Sequence, residues 1–452
     1  MLKCHPMAKT TYRTTPVPTS GMPPGIPYII GNEAAERFSF YGMRAILVGF
    51  MTKYMLQANG TADHMTDAEA NSWFHLFVSS AYFFPLLGAV IADWWWGKYR
   101  TIMTLSIVYC LGHLALALNT TRAGLAVGLA LIAIGSGGIK PCVSSNVGDQ
   151  FGPKNQGLLP RVYSWFYFSV NLGSFASMLL IPVLLQKYGP HVAFGTPGLL
   201  MLLATWVFWL GRGKFTHAPP GNRLDLRETL NWAGLKSISG LLVIYAFIAV
   251  FWSLYDQCSS AWVEQGEKMD LHLFGFAVQS AQLQAANPLF ILIYIPLFTY
   301  VVYPLLNRVV RLTPLRKIGL GFVFTAVSFL VPAWIETQLA AGAKPNIAWQ
   351  LLAYTFLIAG EIMVSITGLE FSYVQAPKKM KSMIMAFFLA AVSAGNLFTA
   401  AVNYFIQNPD HTSRITGVNY YLFFSGLMFA TALLFVVPAS RFQERTLAGD
   451  ET

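Results

Sequence analysis

The chain has 452 residues, of which 55% are hydrophobic, 15% aromatic and only 11% charged, and its mean hydropathy is +0.50. Soluble domains carry about 25% charged residues, so the composition excludes an ordinary soluble protein and predicts an all-α protein embedded in a lipid bilayer. The formal net charge of +10 does not indicate nucleic-acid binding, because the basic residues collect in the loops on one side of the predicted membrane.

Twelve apolar segments are long enough to cross a membrane as helices. They lie at 27–50, 71–94, 100–118, 123–146, 160–185, 193–212, 237–262, 283–307, 317–338, 347–376, 382–407 and 418–439. Most Lys and Arg residues fall in the loops on the side of the N-terminus, including the basic runs 308–317 and 378–381. Together with the even number of segments, this excess predicts a multi-pass protein of the cell membrane with both termini cytoplasmic.

A polar, basic stretch at 213–236 separates the segments into two groups of six. We therefore predict a cytoplasmic N-terminal tail (1–26), two six-helix bundles (27–212 and 237–439) joined by a cytoplasmic linker, and a cytoplasmic C-terminal tail (440–452). The N-terminal tail is Pro-rich and lacks the apolar core of a signal peptide, so no cleaved leader is expected. The four cysteines show no CxxC spacing, and neither a disulfide framework nor a metal site is predicted.

The first apolar segment contains four charged residues, Glu33, Glu36, Arg37 and Arg44. Each costs about 2.5–3.5 kcal/mol at bilayer depth on insertion scales, so such residues usually face a bundle interior or a water-filled cavity. On a helix, Glu33, Arg37 and Arg44 lie within about 40° of one another, and Glu36 lies about 60° to the other side. A charged face at a helix end is the alternative, but apolar residues flank the group on both sides. The stripe therefore predicts a functional site.

Three other segments of the N-terminal half carry polar residues on single helix faces. His75 and Tyr82 are seven residues apart and share a face; His75 is either a proton carrier or a structural hydrogen-bonding residue. Lys140 lies several residues inside its segment, where it either snorkels to the interface or pairs with a carboxylate of the first helix. Tyr167 and Asn171 lie on one stripe, and an amide in lipid needs a partner or a cavity.

The second half carries its polar residues in segments seven, eight and ten. Trp252 and Asp256 lie one helical turn apart, and Asp256 is either a proton carrier, since apolar surroundings favour protonation of a carboxylate, or a cap at the outer end of its helix. Asn287 precedes a proline and is expected at a helix kink. Glu361 and Glu370 are nine residues apart, which places them about 180° apart on an ideal helix. They cannot both face one cavity unless a glycine between them breaks the helix.

Several of these motifs resemble those of one family, the proton-coupled oligopeptide transporters of the major facilitator superfamily. Glu33-x-x-Glu36-Arg37-Phe38 and Tyr41-Gly42-Met43-Arg44 resemble the first-helix signature of that family. The stretch 163–174 is similar to its second signature, and Gly368-Leu369-Glu370-Phe371-Ser372-Tyr373 is similar to its tenth-helix motif. The loop 88–100 resembles the conserved loop between helices two and three of the superfamily.

The resemblance implies a twelve-helix major facilitator fold and a symporter that imports di- and tripeptides by alternating access. The proton is the coupling ion, no other cofactor is implied, and a monomer is the expected functional unit. The implied substrate-binding residues are Arg44, Tyr41, Tyr82, Lys140, Tyr167, Asn171, Trp252, Asn287 and Glu370. The implied proton-coupling residues are Glu33, Glu36, Arg37, Lys140, His75 and Asp256.

In this scheme the carboxylate of the peptide meets Arg44 and Lys140, and its ammonium meets Glu370. Glu361 is expected either to have a structural partner or to lie on the opposite face of the helix. A related transporter of nitrate, another small anion or a peptide-like solute is the alternative, and it should have a weakened Glu-x-x-Glu-Arg stripe, which is intact here. An intramembrane enzyme or receptor would need a nucleophile with a base, a metal cluster or an added domain; the sequence shows none of these patterns, so no enzyme is predicted.

Overall fold

The computed structural model describes residues 12–217, 220, 232–375, 381–408, 410 and 412–442. Several predictions fall wholly or partly on other residues. Residues 1–11 of the N-terminal tail, most of the linker 213–236, positions 378–380 of the second basic run and residues 443–452 of the C-terminal tail lie outside the described residues. Cys4 also lies there.

The described residues form α-helices joined by short turns. Their bounds are α1 Ile26–Lys53, α2 Asp67–Ile91, α3 Lys98–Leu118, α4 Arg122–Asp149, α5 Leu159–Leu210, α6 Trp232–Tyr255, α7 Ala261–Glu267, α8 Ala286–Leu297, α9 Tyr303–Val309, α10 Pro314–Ala340, α11 Ala348–Glu361, α12 Thr367–Gln375, α13 Lys381–Ile406 and α14 Val418–Arg441. Irregular turns continue some helices into the next: 3₁₀ turns at Asp256–Ser259 and Ser280–Ala285, and π turns at Ala92–Trp96, Phe298–Val302 and Ile362–Ile366. A small antiparallel hairpin, β1 His272–Leu273 and β2 Phe276–Ala277, lies in the loop after α7.

Ten helical stretches in the described part of the chain are long and apolar enough to cross a membrane. One of them, Gln156–Gly213, contains two predicted segments, which meet at Gly189, where the backbone leaves the helical conformation with φ of 79°. The 28 residues of α1 are also long enough to cross, although α1 carries more charge than the others. With α1 and the two arms of α5 counted separately, the helices match the twelve predicted segments, and the helical membrane fold is confirmed.

Two large hydrophobic cores organise the described residues, and a small third cluster of Ala45, Met178 and Ala285 joins the two halves. One is built from buried residues between Ile26 and Phe215, and the other from buried residues between Leu241 and Phe435. Tyr82 is partly buried and packs against both cores. The two sets of helices therefore pack mainly on themselves and meet along a narrower contact, and Tyr82 lies at that contact.

Glycines allow close helix packing inside the N-terminal half. A Cβ atom on Gly88 of α2 would overlap the backbone of Gly138 of α4, so these two helices touch through their main chains. Small residues at such crossings are typical of membrane helices, where close backbone approach replaces the hydrophobic driving force.

Direct polar contacts join the two halves at one end of the molecule. This is the end at which α1 ends at Lys53, and we refer to it as the outer end, following the predicted orientation. The contacts include Lys53–Glu267 (2.7 Å), Asn71–Glu264 (2.8 Å), Gln407–Thr66 (3.1 Å) and Gln284 with the carbonyl of Ala45 (3.2 Å). They close the outer end.

The opposite, inner end is more loosely packed. A cavity of about 500 Å³ there separates α2 and α4 from the first turns of α13, with Asp93 and Lys98 on one wall and Met385 and Leu389 on the other. The inner helix α12 packs against α10 and α13 of its own half. The structure is therefore closed at the outer end and more open at the inner end.

Candidate functional site

A cavity of about 180 Å³ lies between the two halves. Residues of α1, α2, α5, α6, α8 and α11 form its wall, together with the Asp256–Ser259 turn. Most of the residues that the sequence assigns to the substrate are on this wall: Tyr41, Arg44, Tyr82, Tyr167, Asn171, Trp252 and Asn287. These residues come from both halves, so the cavity exists only where the two halves meet.

Arg44 and Asp256 form a buried ion pair across the interface. The guanidinium Nη2 of Arg44 donates to Oδ1 of Asp256, and the two residues are only 5% and 1% exposed. The guanidinium also lies 5.3 Å from the centre of the Phe74 ring, and its Nε has no hydrogen-bond partner. Arg44 therefore faces the cavity with donor capacity that Asp256 does not use. The sequence had not predicted this pairing.

His75 is connected to Asp256 through an amide. Nδ2 of Asn396 donates to Oδ2 of Asp256 at 2.7 Å, and Oδ1 of Asn396 lies 2.8 Å from Nδ1 of His75. With that amide orientation, Nδ1 of His75 is the donor, and its Nε2 lies 3.0 Å from the hydroxyl of Ser260. His75 is therefore outside the cavity wall, and it reaches the Arg44–Asp256 pair only through Asn396.

Two acidic residues lie on the cavity wall, Asp256, which is paired with Arg44, and Glu361. Nδ2 of Asn287 lies 3.3 Å from Oε2 of Glu361 and 2.7 Å from the hydroxyl of Tyr255. Glu370 is exposed on α12 and is not among the residues that line the cavity. The structure thus places Glu361, and not Glu370, on the cavity wall. A contact between Glu370 and the substrate stays a prediction, and the lining of this cavity does not include it.

Glu33, Glu36 and Arg37 form a compact charged group on α1. Nε of Arg37 lies 2.7 Å from Oε1 of Glu33 and 3.2 Å from Oε2 of Glu36, and both carboxylates are 1% exposed. Neither oxygen of Glu36 accepts a hydrogen bond from another described residue. One guanidinium thus serves two buried carboxylates, as the predicted stripe requires, but the group lies outside the cavity wall.

Lys140 is buried between aromatic rings. Its ammonium lies 4.1 Å from the centre of the Phe40 ring and 4.6 Å from that of the Tyr82 ring, and it has no hydrogen-bond partner among the described residues. The predicted ion pair with a carboxylate of α1 is absent from the described ion pairs. Lys140 is not among the residues that line the cavity, but it contacts the ring of Tyr82, which is. A direct contact between Lys140 and the substrate stays a prediction.

The cavity offers charges of both signs within an aromatic lining. Arg44 supplies a cation and Glu361 a carboxylate, while Tyr41, Tyr82 and Trp252 supply ring surface. Charged groups fix the orientation of a ligand, and apolar or aromatic walls accept varied groups. The arrangement suits a small zwitterion that has a carboxylate at one end and an ammonium at the other.

Several wall residues were not predicted from the sequence. Tyr255, Ser259 and Gln284 line the cavity, and Nε2 of Gln284 donates to the carbonyl oxygen of Ala45 at 3.2 Å. Tyr255 is adjacent to Asp256, and Gln284 precedes Asn287 by three residues. Their closeness in sequence to predicted site residues is a signal from which both could have been predicted. Asn396 had one too, because an amide inside an apolar segment needs a partner, as was reasoned for Asn171.

Known proteins share both the sequence and the fold. A family model described as the POT family matches residues 99–229 and 226–419. Human "Solute carrier family 15 member 2" is 35% identical over 411 residues, which cover 78% of this chain and 55% of the relative. "Peptide transporter family 1" of Drosophila melanogaster is 36% identical over 368 residues, which cover 71% of this chain and 48% of the relative. The chain thus spans about half the length of these curated relatives.

A solved structure extends the similarity to almost the whole fold. The crystal structure of the POT family transporter PepTSo has a TM-score of 0.85 and 36% identity, and the match covers 94% of this chain and 99% of that one. The family model covers well over half of this chain, and its match agrees with the curated relatives and with the solved fold. The chain therefore belongs to the POT family, the proton-dependent oligopeptide transporters.

Proposed function

We propose that the protein is a proton-coupled symporter that imports di- and tripeptides across the cell membrane by alternating access. The observation that carries the proposal is the cavity between the two halves, which places Arg44 and Glu361 on one aromatic wall. Membership of the POT family and the name of the Drosophila relative, a peptide transporter, support the same substrate class. One chain contains the whole cavity, so we propose the monomer as the functional unit, with both termini cytoplasmic.

In the proposed binding pose, the carboxylate of the peptide meets Arg44, and its ammonium meets Glu361. Charge-assisted hydrogen bonds of this kind are shorter and stronger than neutral ones. The amide of Asn287 lies beside Glu361 and adds a donor for the peptide backbone. The rings of Tyr41, Tyr82 and Trp252 then accept side chains of different size and polarity.

Proton coupling is assigned to the group formed by Glu33, Glu36, Arg37 and Lys140. Glu36 shares its guanidinium with Glu33, and Lys140 rests on the Phe40 ring without an anionic partner. A movement that brings Lys140 to Glu36 would change the proton affinity of that carboxylate, because charge pairing shifts protonation. Lys140 also contacts Tyr82, which lines the cavity. This contact supplies a route by which peptide binding and proton binding influence each other, and such influence is reciprocal.

Competition for uptake of a labelled dipeptide tests the proposed substrate class. Free dipeptides should compete at least about tenfold better than their N-acetylated forms, since about 1.4 kcal/mol of binding energy corresponds to a factor of ten and acetylation removes the ammonium that meets Glu361. Nitrate at the same concentration should compete weakly. Equal competition by free and acetylated peptides, or strong competition by nitrate, would refute the proposed pose and favour an anion carrier.

A further inference from the structure

A second cavity lies at the outer end, away from the peptide cavity. It has a volume of about 170 Å³ and is enclosed by the first turns of α2, by α7 and by the loop before α14. Its polar wall includes three carboxylates, three amides and one ammonium: Asp67, Glu264, Glu336, Asn71, Gln265, Asn403 and Lys268. It shares no lining residue with the peptide cavity.

Two buried acceptor atoms in this wall lack a donor. Glu264 is 8% exposed; its Oε2 accepts from Nδ2 of Asn71 at 2.8 Å, and its Oε1 has no partner. Asn71 is 3% exposed, and its Oδ1 likewise has no partner. Buried polar atoms are nearly always hydrogen-bonded, and leaving one without a partner costs free energy. The pair therefore requires a donor that the described protein groups do not supply.

The neighbouring carboxylates are already engaged. Asp67 lies 3.4 Å from the ammonium of Lys268, and Glu336 accepts from the amide of Gln265 at 2.8 Å. Glu267, on the same helix as Glu264, is paired with Lys53 at the neighbouring part of the outer end. Among the described ion pairs none includes Glu264. Oε1 of Glu264 is thus buried without a hydrogen-bond or ion-pair partner in the described part of the chain, although the ammonium of Lys268 lines the same cavity and is paired with Asp67. A cation that also donates hydrogen bonds would satisfy this oxygen and neutralise the carboxylate.

We propose that this outer cavity is a binding site for a protonated primary amine. The ammonium group donates to Oε1 of Glu264 and to Oδ1 of Asn71, and it neutralises the buried carboxylate. A free small amine and the amino-terminal ammonium of a peptide share this chemistry. Asn71 belongs to the first half and Glu264 to the second, so the bound amine bridges the halves. A ligand that prefers one conformation shifts the population toward it, and this ligand favours the closed outer end.

Thermal unfolding of the purified full chain tests the site without any transport step, so its outcome is independent of the proposed symport. Methylammonium chloride is compared with tetramethylammonium chloride, which has the same charge but no N–H donor. We expect methylammonium to raise Tm saturably by about 2 °C or more, because a ligand that binds only the folded state stabilises it. Tetramethylammonium should leave Tm unchanged.

Three variants locate the effect. Glu264→Gln keeps the shape of the side chain and removes its charge, and it should abolish the methylammonium shift. Asn71→Leu removes the second acceptor and should raise the methylammonium concentration that gives half of the full Tm shift at least tenfold. This variant keeps the proposal testable if Glu264→Gln folds poorly. Glu267→Gln is the matched control: it removes a carboxylate from the same helix, but that side chain does not line the cavity, so the methylammonium shift should persist.

A further thermal-unfolding measurement, with a dipeptide as the ligand, identifies the source of the amine. It is measured in an Arg44→Ala/Glu361→Gln background, in which the peptide cavity has lost both charged contacts. Stabilisation by the dipeptide that Glu264→Gln removes would assign the site to peptide termini, and stabilisation by methylammonium alone would assign it to free amines. Equal shifts by methylammonium and tetramethylammonium, or a methylammonium shift that survives Glu264→Gln, would overturn the proposal.

Discussion

Arg44 and Asp256 illustrate why single substitutions in this cavity need controls. Both side chains are buried and paired, and removing one member of such a pair costs about 3–5 kcal/mol because the other charge remains buried without a partner. Arg44→Ala is therefore expected to abolish peptide uptake through lost binding and through lost stability together. The two glutamates of the tenth segment allow a cleaner comparison.

Glu361→Gln should abolish concentrative uptake of a dipeptide, because it removes the carboxylate that faces the peptide ammonium. Glu370→Gln is chemically the same change at an exposed residue of α12, and it should keep uptake within about twofold of wild type. Both variants are assayed in proteoliposomes at equal reconstituted amounts. Normal uptake by Glu361→Gln combined with loss in Glu370→Gln would return the ammonium contact to Glu370.

The amide of Asn396 links the imidazole of His75 to Asp256. If this chain sets the pH response of the outer end, His75→Gln, Asp256→Asn and Asn396→Leu should each change the profile of uptake against pH. Asn403→Leu is the matched control, since Asn403 is on the same helix α13 but bonds to Tyr420 instead. Unchanged profiles in the first three variants would leave His75 and Asn396 with a packing role only.

At the level of single residues, the sequence predicted which residue types meet at the cavity better than it predicted their contacts. Tyr41, Arg44 and Tyr167 lie on the wall as expected. Helical periodicity predicts Glu361 and Glu370 on different faces, but it gives relative angles and not the direction of the cavity. The sequence therefore could not predict that Glu361 is the member of the pair that lines this cavity. Lys140 was expected beside a carboxylate. Its stacking on Phe40 depends on contacts between α1, α2 and α4 that spacing within one helix does not contain.

At the level of helices, segment positions were predictable because apolar length is a direct signal, whereas joints between segments were not. Segments five and six continue into one another as α5, and Gly189 alone interrupts the helical backbone there. The π turn at Ile362–Ile366 also left no recognised pattern in the sequence. The predicted segment 347–376 nevertheless agrees with the helical stretch from Ala348 to Gln375, so the turn changed the local geometry and not the position of the segment.

The crossing of α2 and α4 gives a prediction for helix packing. Gly88→Ala places a methyl group against the backbone of Gly138, and overpacking of this kind typically costs about 1–3 kcal/mol. We expect a lower midpoint of thermal unfolding. Gly31→Ala is the control, because a Cβ atom there meets no atom within 4 Å and alanine favours a helix. A lower midpoint for Gly31→Ala and an unchanged one for Gly88→Ala would contradict the described packing.

For the whole molecule, transport requires the contacts at the outer end to break and re-form. The hydroxyls of Ser79 and Ser393 lie 3.0 Å apart across the two halves. In a chain whose native cysteines are replaced by alanine, Ser79→Cys/Ser393→Cys should form a disulfide that joins α2 to α13 midway along both helices and so keeps the two halves from separating towards the outer end. Uptake should be lost on oxidation and restored by dithiothreitol, while each single cysteine variant is insensitive to both. Full uptake by the oxidised double variant would contradict alternating access through this end.

Coupling is also a property of the whole molecule: the proposed route between the charged group of α1 and the peptide cavity passes through Lys140, whose ammonium lies 4.6 Å from the centre of the Tyr82 ring. Glu36→Gln and Lys140→Ala should lose proton-driven accumulation, since each removes one side of the pairing that changes proton affinity. Because Arg44 and Glu361 remain, peptide exchange across a membrane without a gradient should survive in at least one of them. Normal accumulation in both variants would move the coupling site to His75 or Asp256.

The most direct test of proton-coupled peptide import is the concentration of a labelled dipeptide reached inside proteoliposomes. With an inward proton gradient, the account predicts that the internal concentration rises above the external one and falls back to equality when a protonophore is added. An internal concentration that stays equal to the external one despite the gradient, or that rises equally without any gradient, would contradict proton-coupled peptide import.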